Sequence, residues 1–214
     1  MSAESGVPTY RGQGGVWAKY NFREYACQDA FDINPEKVLS FHEIRRKALF
    51  KCHPHRGHKI IADLQKQNNE ISIVTQNIDG MHQKAGSINN IFELHGSIWR
   101  LRCSIHRIYE DFKKQYKTYK CEKCGNYLRP DIIWFGDSLD HNVTEKSIEL
   151  ISDCDLFISI GTSGVVWPAA GFPEIAKNNN AFCVEINPEP SAISELYDKI
   201  IRKPASIGLK EIFS

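Results

Sequence analysis

The chain is expected to fold as an α/β protein: a doubly wound parallel sheet with a smaller domain inserted into it. Three observations predict this. Short apolar, β-branched runs recur along the sequence. Helical stretches separate them, and strand, helix, strand in series favours a parallel sheet. Two long segments break the alternation and read as inserts.

In chain order, residues from about 20 to 54 read as helical, with Phe41, Ile44, Ala48 and Leu49 at helix-like spacing. A helix over about 58–67 leads into the first strand, 71–75. Residues from about 97 to 129 hold paired cysteines, a histidine and a middle rich in lysine and tyrosine. A helix over about 142–152 precedes the clearest strand, 155–161, whose final glycine suits a tight exit turn. Another helix, near 169–178, has Pro168 suited to its first turn. Segments 181–187 and 199–202 complete the strands. The expected division assigns 1–20, 55–96 and 134–214 to the sheet domain, and 21–54 and 97–133 to the small one. In such sheets ligands sit beyond the carboxyl ends of the strands. Residues 76–79, 161–163 and Asn187 fall on that edge.

A length of 214 residues suits one main domain with an insert. With 42% hydrophobic and 25% charged residues, the composition reads as globular. A net charge of +1 makes no broad electrostatic case for nucleic acid or an anionic membrane. The longest apolar runs are too short to span a bilayer, and no secretory leader opens the chain. The expected setting is cytoplasmic. Seven is an odd number of cysteines, and the close pair Cys121 and Cys124 suggests metal rather than disulfide.

Four segments carry chemistry. Cys103 and His106, then Cys121 and Cys124, are pairs with two-residue gaps and 14 residues between them. That spacing suits a closed, tetrahedral structural zinc; the alternative is a metal-free segment with His106 exposed. Gln76, Asn77, Ile78 and Asp79 directly follow a buried strand, as a capped βα turn or as a polar ligand-binding cluster. His95, one of eight histidines, is either a solvated or core residue or a general base. Gly161, Thr162 and Ser163 leave the second apolar run.

In this order, and with the opening segment 1–12, these motifs resemble the sirtuin family of NAD-dependent protein-lysine deacylases. The resemblance runs from Ser2 to about Phe213 and is closest to short class III members typical of bacteria. It implies a Rossmann-like NAD domain and a small helical domain bearing one structural zinc. Ser2, Ala3, Pro8, Tyr10, Arg11 and Trp17 would belong to the NAD-binding loop. Asn77, Ile78 and Asp79 would line the nicotinamide pocket, and Gln76 would reach its ribose. Gly161, Thr162 and Ser163 would meet phosphate or ribose. Asn187, Pro188 and Glu189 would hold the adenine ribose, with Ala205 near adenine. Phe135, Gly136, Val165 and Val166 would flank an acyl-lysine peptide added as a strand.

The chemistry the resemblance implies is specific. The acyl-lysine carbonyl oxygen attacks the ribose C1′ and nicotinamide leaves. His95 activates the ribose hydroxyl that attacks next, and water releases lysine and O-acyl-ADP-ribose. Class III members favour succinyl, malonyl or glutaryl lysine through a Tyr-x-x-Arg pair and an upstream alanine. Here the matching positions are Ala26, His42 and Arg45. Residues three apart share a helix face, and an arginine can hold a distal carboxylate bidentately. Otherwise Arg45, Arg46 and Lys47 form a solvated charge run.

Family members carry a strand and a Gly-Ala-Gly turn ahead of the opening loop, and the expectation is a coding start further upstream. The rival expectation is an impaired NAD or ADP-ribose binding module. Protein ADP-ribosyl transfer is another alternative. So is a zinc-ribbon module binding nucleic acid through lysines 113–123, with Tyr116 and Tyr119 stacking on bases.

Overall fold

A computed structural model describes residues 1–9, 15–106 and 108–213. After a 3₁₀ turn at Ser2–Ser5 come four helices: α1 (Val16–Lys19), α2 (Phe22–Tyr25), α3 (Gln28–Ile33) and α4 (Pro35–Phe50). Then follow α5 (Arg56–Gln67), β1 (Ile73–Thr75), α6 (Met81–Ala85), β2 (Ile91–Glu93), β3 (Gly96–Arg102), β4 (Ile108–Glu110) and β5 (Arg129–Ile132). The chain closes with α7 (His141–Ser152), β6 (Leu156–Ile160), α8 (Phe172–Asn178), β7 (Phe182–Ile186), β8 (Lys199–Ile201) and α9 (Ala205–Phe213).

The four expected strands are present, within a residue or two, and a fifth parallel strand, β2, lies at Ile91–Glu93 where none was expected. They form two sheets rather than one: β1 pairs with β2, and β6, β7 and β8 pair in that order, all parallel. Among the described residues no strand lies between β1 and β6. Ile71, Ile73, Val74, Ile158 and Ile160 instead line a cleft. Central β7 buries Cys183, Val184, Glu185 and Ile186, as a strand covered on both faces does. Helix α5 starts at Arg56, earlier than the periodicity suggests, because the His55 imidazole accepts the Gly57 N–H at 2.9 Å.

The segment 97–129 folds as an antiparallel sheet in the order β4-β3-β5. Its core is shared with α3 and α4: Phe31, Val38, Leu39 and Leu49 join Trp99, Leu101, Leu128 and Trp134. Helix α4 is capped by the Asn34 side chain on the Lys37 N–H, with Pro35 at its first turn. Its buried face differs from the expected one. Phe41 and Leu49 are inside, but Ile44 and Ala48 are exposed, and His42 and Arg46 are buried in their place. Each owes its place to aromatic rings: His42 stacks on Trp134 and Arg46 lies over Tyr116. Tyr116 is therefore core, not a stacking surface for bases, which removes half of the platform that the rival nucleic-acid reading needs. No helix among the described residues is long and apolar enough to cross a membrane.

Candidate active site

The turns leaving β1 and β6 open on one cleft of about 1500 Å³. Thr75 shapes the first turn, its hydroxyl accepting the Asn77 N–H at 3.0 Å. Asn77 then donates to the Ser2 hydroxyl at 3.0 Å, tying the 3₁₀ turn to this edge. Asp79 accepts the Met81 N–H at 2.9 Å and is buried. Burial pushes its carboxyl up, with the Met81 N–H and the Ser2 hydroxyl opposing. Gly161 exits β6 with φ 60°, and a Cβ there would collide with the Met1 backbone. The opening segment therefore packs directly on the second turn.

His95 lies half-buried between β2 and β3. Gly96 follows it in the left-handed region, where a Cβ would strike the Asp131 carbonyl. This close crossing of β3 and β5 seats the imidazole. His95 Nδ1 lies 3.0 Å from the Gln76 carbonyl. A carbonyl only accepts, so Nδ1 carries the proton and Nε2 keeps its lone pair. Burial lowers the pKa of His95, with the Gln76 bond opposing, so the ring is neutral at pH 7. A neutral imidazole with a free Nε2 on a cleft wall can take a proton from a hydroxyl.

Not every expected residue faces this cleft. Gln76, Asn77, Ile78, His95, Gly161, Thr162, Ser163, Trp17, Phe135, Gly136, Val166, Ala26, His42 and Arg45 line it. Asp79, Ser2, Asn187 and Val165 stand adjacent without lining it. Ala3, Pro8, Pro188 and Glu189 are exposed. Ala205 is buried at the start of α9, not in a loop. Tyr10 and Arg11 lie outside the described residues. Gly136 and Val165 make no backbone hydrogen bond with another described residue, so both leave groups open to an added strand. Phe135 has already spent its N–H on the Ala26 carbonyl at 3.1 Å.

Trp17 packs against Phe41 and Phe135, with ring centroids 6.2 and 5.8 Å away. His42 is only 1% exposed and stacks on Trp134 at 5.8 Å. Burial holds its pKa well below the ordinary value, and the Arg45 charge adds to this. The imidazole is neutral, so the stronger, protonated donor is not available at pH 7. The charge run 45–47 is split: Arg46 is buried, Arg45 half-buried and Lys47 exposed.

The Cys/His pairs meet. The ligand atoms of Cys103, His106, Cys121 and Cys124 all lie within 4.8 Å of one another. Tetrahedral zinc, with bonds of ~2.3 Å to sulfur and ~2.05 Å to nitrogen, separates two sulfurs by ~3.8 Å and sulfur from nitrogen by ~3.6 Å. Cys103 and Cys124 sulfurs are 3.6 Å apart. His106 Nδ1 is 3.5 Å from Cys103 Sγ and 3.4 Å from Cys121 Sγ. The set fits zinc, with His106 as an Nδ1 ligand. Gly125 at φ 74° turns the knuckle, its N–H reaching the Cys121 carbonyl at 2.9 Å.

One buried charge near this edge was missed from sequence. Glu185 is wholly buried in β7, bonded to Ser191, Ser194 and Arg202. The signal was a carboxylate inside the apolar run Phe182, Cys183, Val184, Glu185, Ile186, where a lone acid is costly unless paired.

A cleft at the carboxyl edge of parallel strands, joined to a Cys₃His cluster on an antiparallel module, defines a nucleotide-binding α/β protein with a structural-metal unit. The Sir2 family model matches residues 1–168, and the chain belongs to the Sir2 family. It is 40% identical to an NAD-dependent protein deacylase of Aquifex aeolicus, over 100% of this chain and 90% of that one. It is 44% identical to NAD-dependent protein deacylase 2 of Pyrobaculum aerophilum, over 94% of this chain and 82% of that one. A solved Sir2 homolog–NAD complex superposes with a TM-score of 0.90 at 36% identity, covering 99% of this chain and 83% of the other. A Sir2 structure with a deacetylated p53 peptide and 3′-O-acetyl ADP-ribose superposes at 0.85 and 26% identity, covering 99% and 87%.

Proposed function

We propose that this protein is an NAD-dependent protein-lysine deacylase with one structural zinc. The observation that carries the reading is His95: a neutral imidazole on the cleft wall whose Nδ1 is committed to the Gln76 carbonyl and whose Nε2 has no hydrogen-bond partner among the described residues. NAD supplies an activated ribose carbon as co-substrate. Its carboxamide fits the Asn77 side chain on the cleft wall, and its phosphates and ribose fit Thr162 and Ser163. The cleft exceeds the ~300–1,000 Å³ of a small-ligand pocket, as a dinucleotide plus an acyl-lysine requires. Gly136 and Val165 offer the backbone groups an extended peptide would pair with. Segments 21–54 and 97–133 form the small domain, which holds the acyl pocket and the zinc. Seven cysteines without a disulfide, three of them in the zinc set, suit a reducing, cytoplasmic setting.

The test is nicotinamide release from NAD in the presence of acetyl-lysine peptide. The wild type should turn over, and His95→Ala should lose at least ~10²-fold in turnover, the scale of a positioned base. A wild type that binds NAD without releasing nicotinamide would leave a binding module. Labelled protein without O-acyl-ADP-ribose would favour ADP-ribosyl transfer.

The finer reading is a preference for acidic acyl groups such as succinyl and malonyl. Ala26, His42 and Arg45 line one stretch of the same cleft. Arg45 supplies the cation for a distal carboxylate, and His42 a neutral neighbour. Arg45→Ala should cost succinyl-lysine turnover roughly tenfold or more, the scale of a charge-assisted hydrogen bond, and spare acetyl-lysine. Equal loss on both substrates would sink the assignment.

A further inference from the structure

Between β7 and β8 the chain makes a loop, residues 187–194, that touches the turn leaving β6 at three places. Asn187 Nδ2 donates to the Thr162 carbonyl at 2.8 Å. The Ala192 N–H donates to the Ser163 carbonyl at 3.1 Å. Gly164, at φ 70°, leaves room for Ile193, which a Cβ would hit. Two loops of the ligand edge are thus joined. What holds the joint is behind them. Glu185 Oε1 takes a short hydrogen bond from the Ser191 hydroxyl, and Oε2 takes the Ser194 hydroxyl at 2.7 Å and Arg202 Nη1 at 2.6 Å. Arg202 also donates to Ser194 Oγ at 2.9 Å and approaches the carbonyls of Asn187 and Glu189, both at 3.4 Å.

Burial pushes the Glu185 carboxyl up, but the two hydroxyls and the guanidinium outweigh it and hold the group below the usual carboxylate range. It is ionised at neutral pH. A buried, ionised carboxylate with all its partners on one loop and the next strand is an anchor for that loop.

We infer that Glu185 is a positioning residue for the adenosine half of NAD: it clamps loop 187–194, and through Ser163 the 162–163 turn, into the shape that receives the ribose. The inference rests on the NAD reading above. Glu185 itself touches no ligand; Asn187 and Glu189 present the groups. The clamp serves binding and not the chemical step, because His95 hangs from Gln76 on the other sheet.

The test uses the full chain carrying Glu185→Gln, with ADP-ribose as the calorimetric probe. Glutamine keeps the shape but loses the charge that holds Arg202. ADP-ribose affinity should fall roughly tenfold, the scale of one charge-assisted hydrogen bond. The KM for NAD should rise by a similar factor, with kcat at saturating NAD and the inhibition constant of nicotinamide unchanged. Amide hydrogens of residues 191–194 should exchange faster without any ligand. The double variant Ser191→Ala/Ser194→Ala keeps the Glu185–Arg202 pair and cuts the loop tethers, so it should repeat the affinity loss if Glu185→Gln does not fold. Unchanged ADP-ribose affinity in the folded variants, with only a lowered melting temperature, would make Glu185 a structural residue and overturn the inference. A wild type that binds no ADP-ribose would overturn the NAD reading itself, a distinct result.

Discussion

The two halves of this molecule differ in how they bury charge. Around the antiparallel sheet the buried cations are paired with carboxylates, although the neutral His42 imidazole is buried there too, without a hydrogen-bond partner among the described residues. Arg46 Nη2 meets Asp111 Oδ1 at 3.0 Å with both side chains almost wholly buried, and Arg129 meets Asp137. Three thiols and an imidazole converge as a metal-ligand set. Around the parallel strands the buried groups are mostly neutral and several lack partners. His55, His58 and His82 stack edge to face, with centroids 4.3 and 4.9 Å apart. Among the described residues, neither His58 nitrogen, nor His82 Nδ1, has a hydrogen-bond partner. Glu185 with Arg202 is the exception on that side. The lesson is about vulnerability. Paired charges fail when a partner is removed, whereas unpaired neutral histidines fail when a proton is added.

The largest expected effect is loss of the metal. Four converging ligands in a small core make binding free energy into folding free energy, on the order of 10 kcal/mol. Cys121→Ala should abolish the one zinc per chain found by metal analysis, and the antiparallel region should lose its protection from proteolysis. His106→Cys should retain the zinc, since thiolate replaces imidazole in the same shell. Well under one zinc in the wild type would leave the two halves differing only in their ion pairs.

Next in size is Arg46. Removing one member of a buried pair costs ~3–5 kcal/mol, because the other charge is left without compensation. Arg46→Ala should lower stability to urea by that amount. Arg46→Met/Asp111→Asn should recover much of it, because no charge remains buried alone. An Arg46→Ala loss within ~0.5 kcal/mol, as for a surface site, would show that the aromatic cage of Tyr116 and Trp99, rather than the charge, holds α4 to this sheet.

How much of this was legible depends on what each residue's neighbours are. Strand 182–186 announced itself because a strand buried on both faces has little polar alternation to confuse it, and 156–160 did so by its apolar run alone, although it is only partly buried and lines the cleft. The zinc set was legible because ligand spacing is nearly local. The three antiparallel strands were not, because β3 to β5 mixes Trp99, Leu101 and Pro130 with Arg100, Arg102 and Arg129, whose charges find partners only in three dimensions. The inward turn of Arg46 was equally hidden: nothing in Arg45, Arg46, Lys47 says which of the three meets Asp111. The turn positions 76–79 and 161–163 were readable in place, and Glu185 was missed, because its partners Ser191, Ser194 and Arg202 meet it only in the fold.

The effect that is smallest per step, because it accrues gradually with pH, is a proton effect on the parallel-sheet side. Burial lowers the His58 pKa to about 2 and the His82 pKa to about 4, from an unfolded value near 6.5. The unfolded chain therefore takes up protons below pH 6.5 that the folded chain refuses. Stability from both histidines is fully present above that pH and falls as pH drops, through about pH 4 for His82 and further for His58. Each contributes a slope of about 1.4 kcal/mol per pH unit inside its window. Asp79 works against this at the acid end, because its raised pKa lets the folded state bind a proton first. Urea midpoints at pH 7, 6, 5 and 4 should fall progressively, and His82→Gln should flatten the slope by one proton between pH 6 and 5. If that variant keeps the wild-type slope, the cluster already binds its protons when folded, and the contrast between the two halves reduces to the metal site.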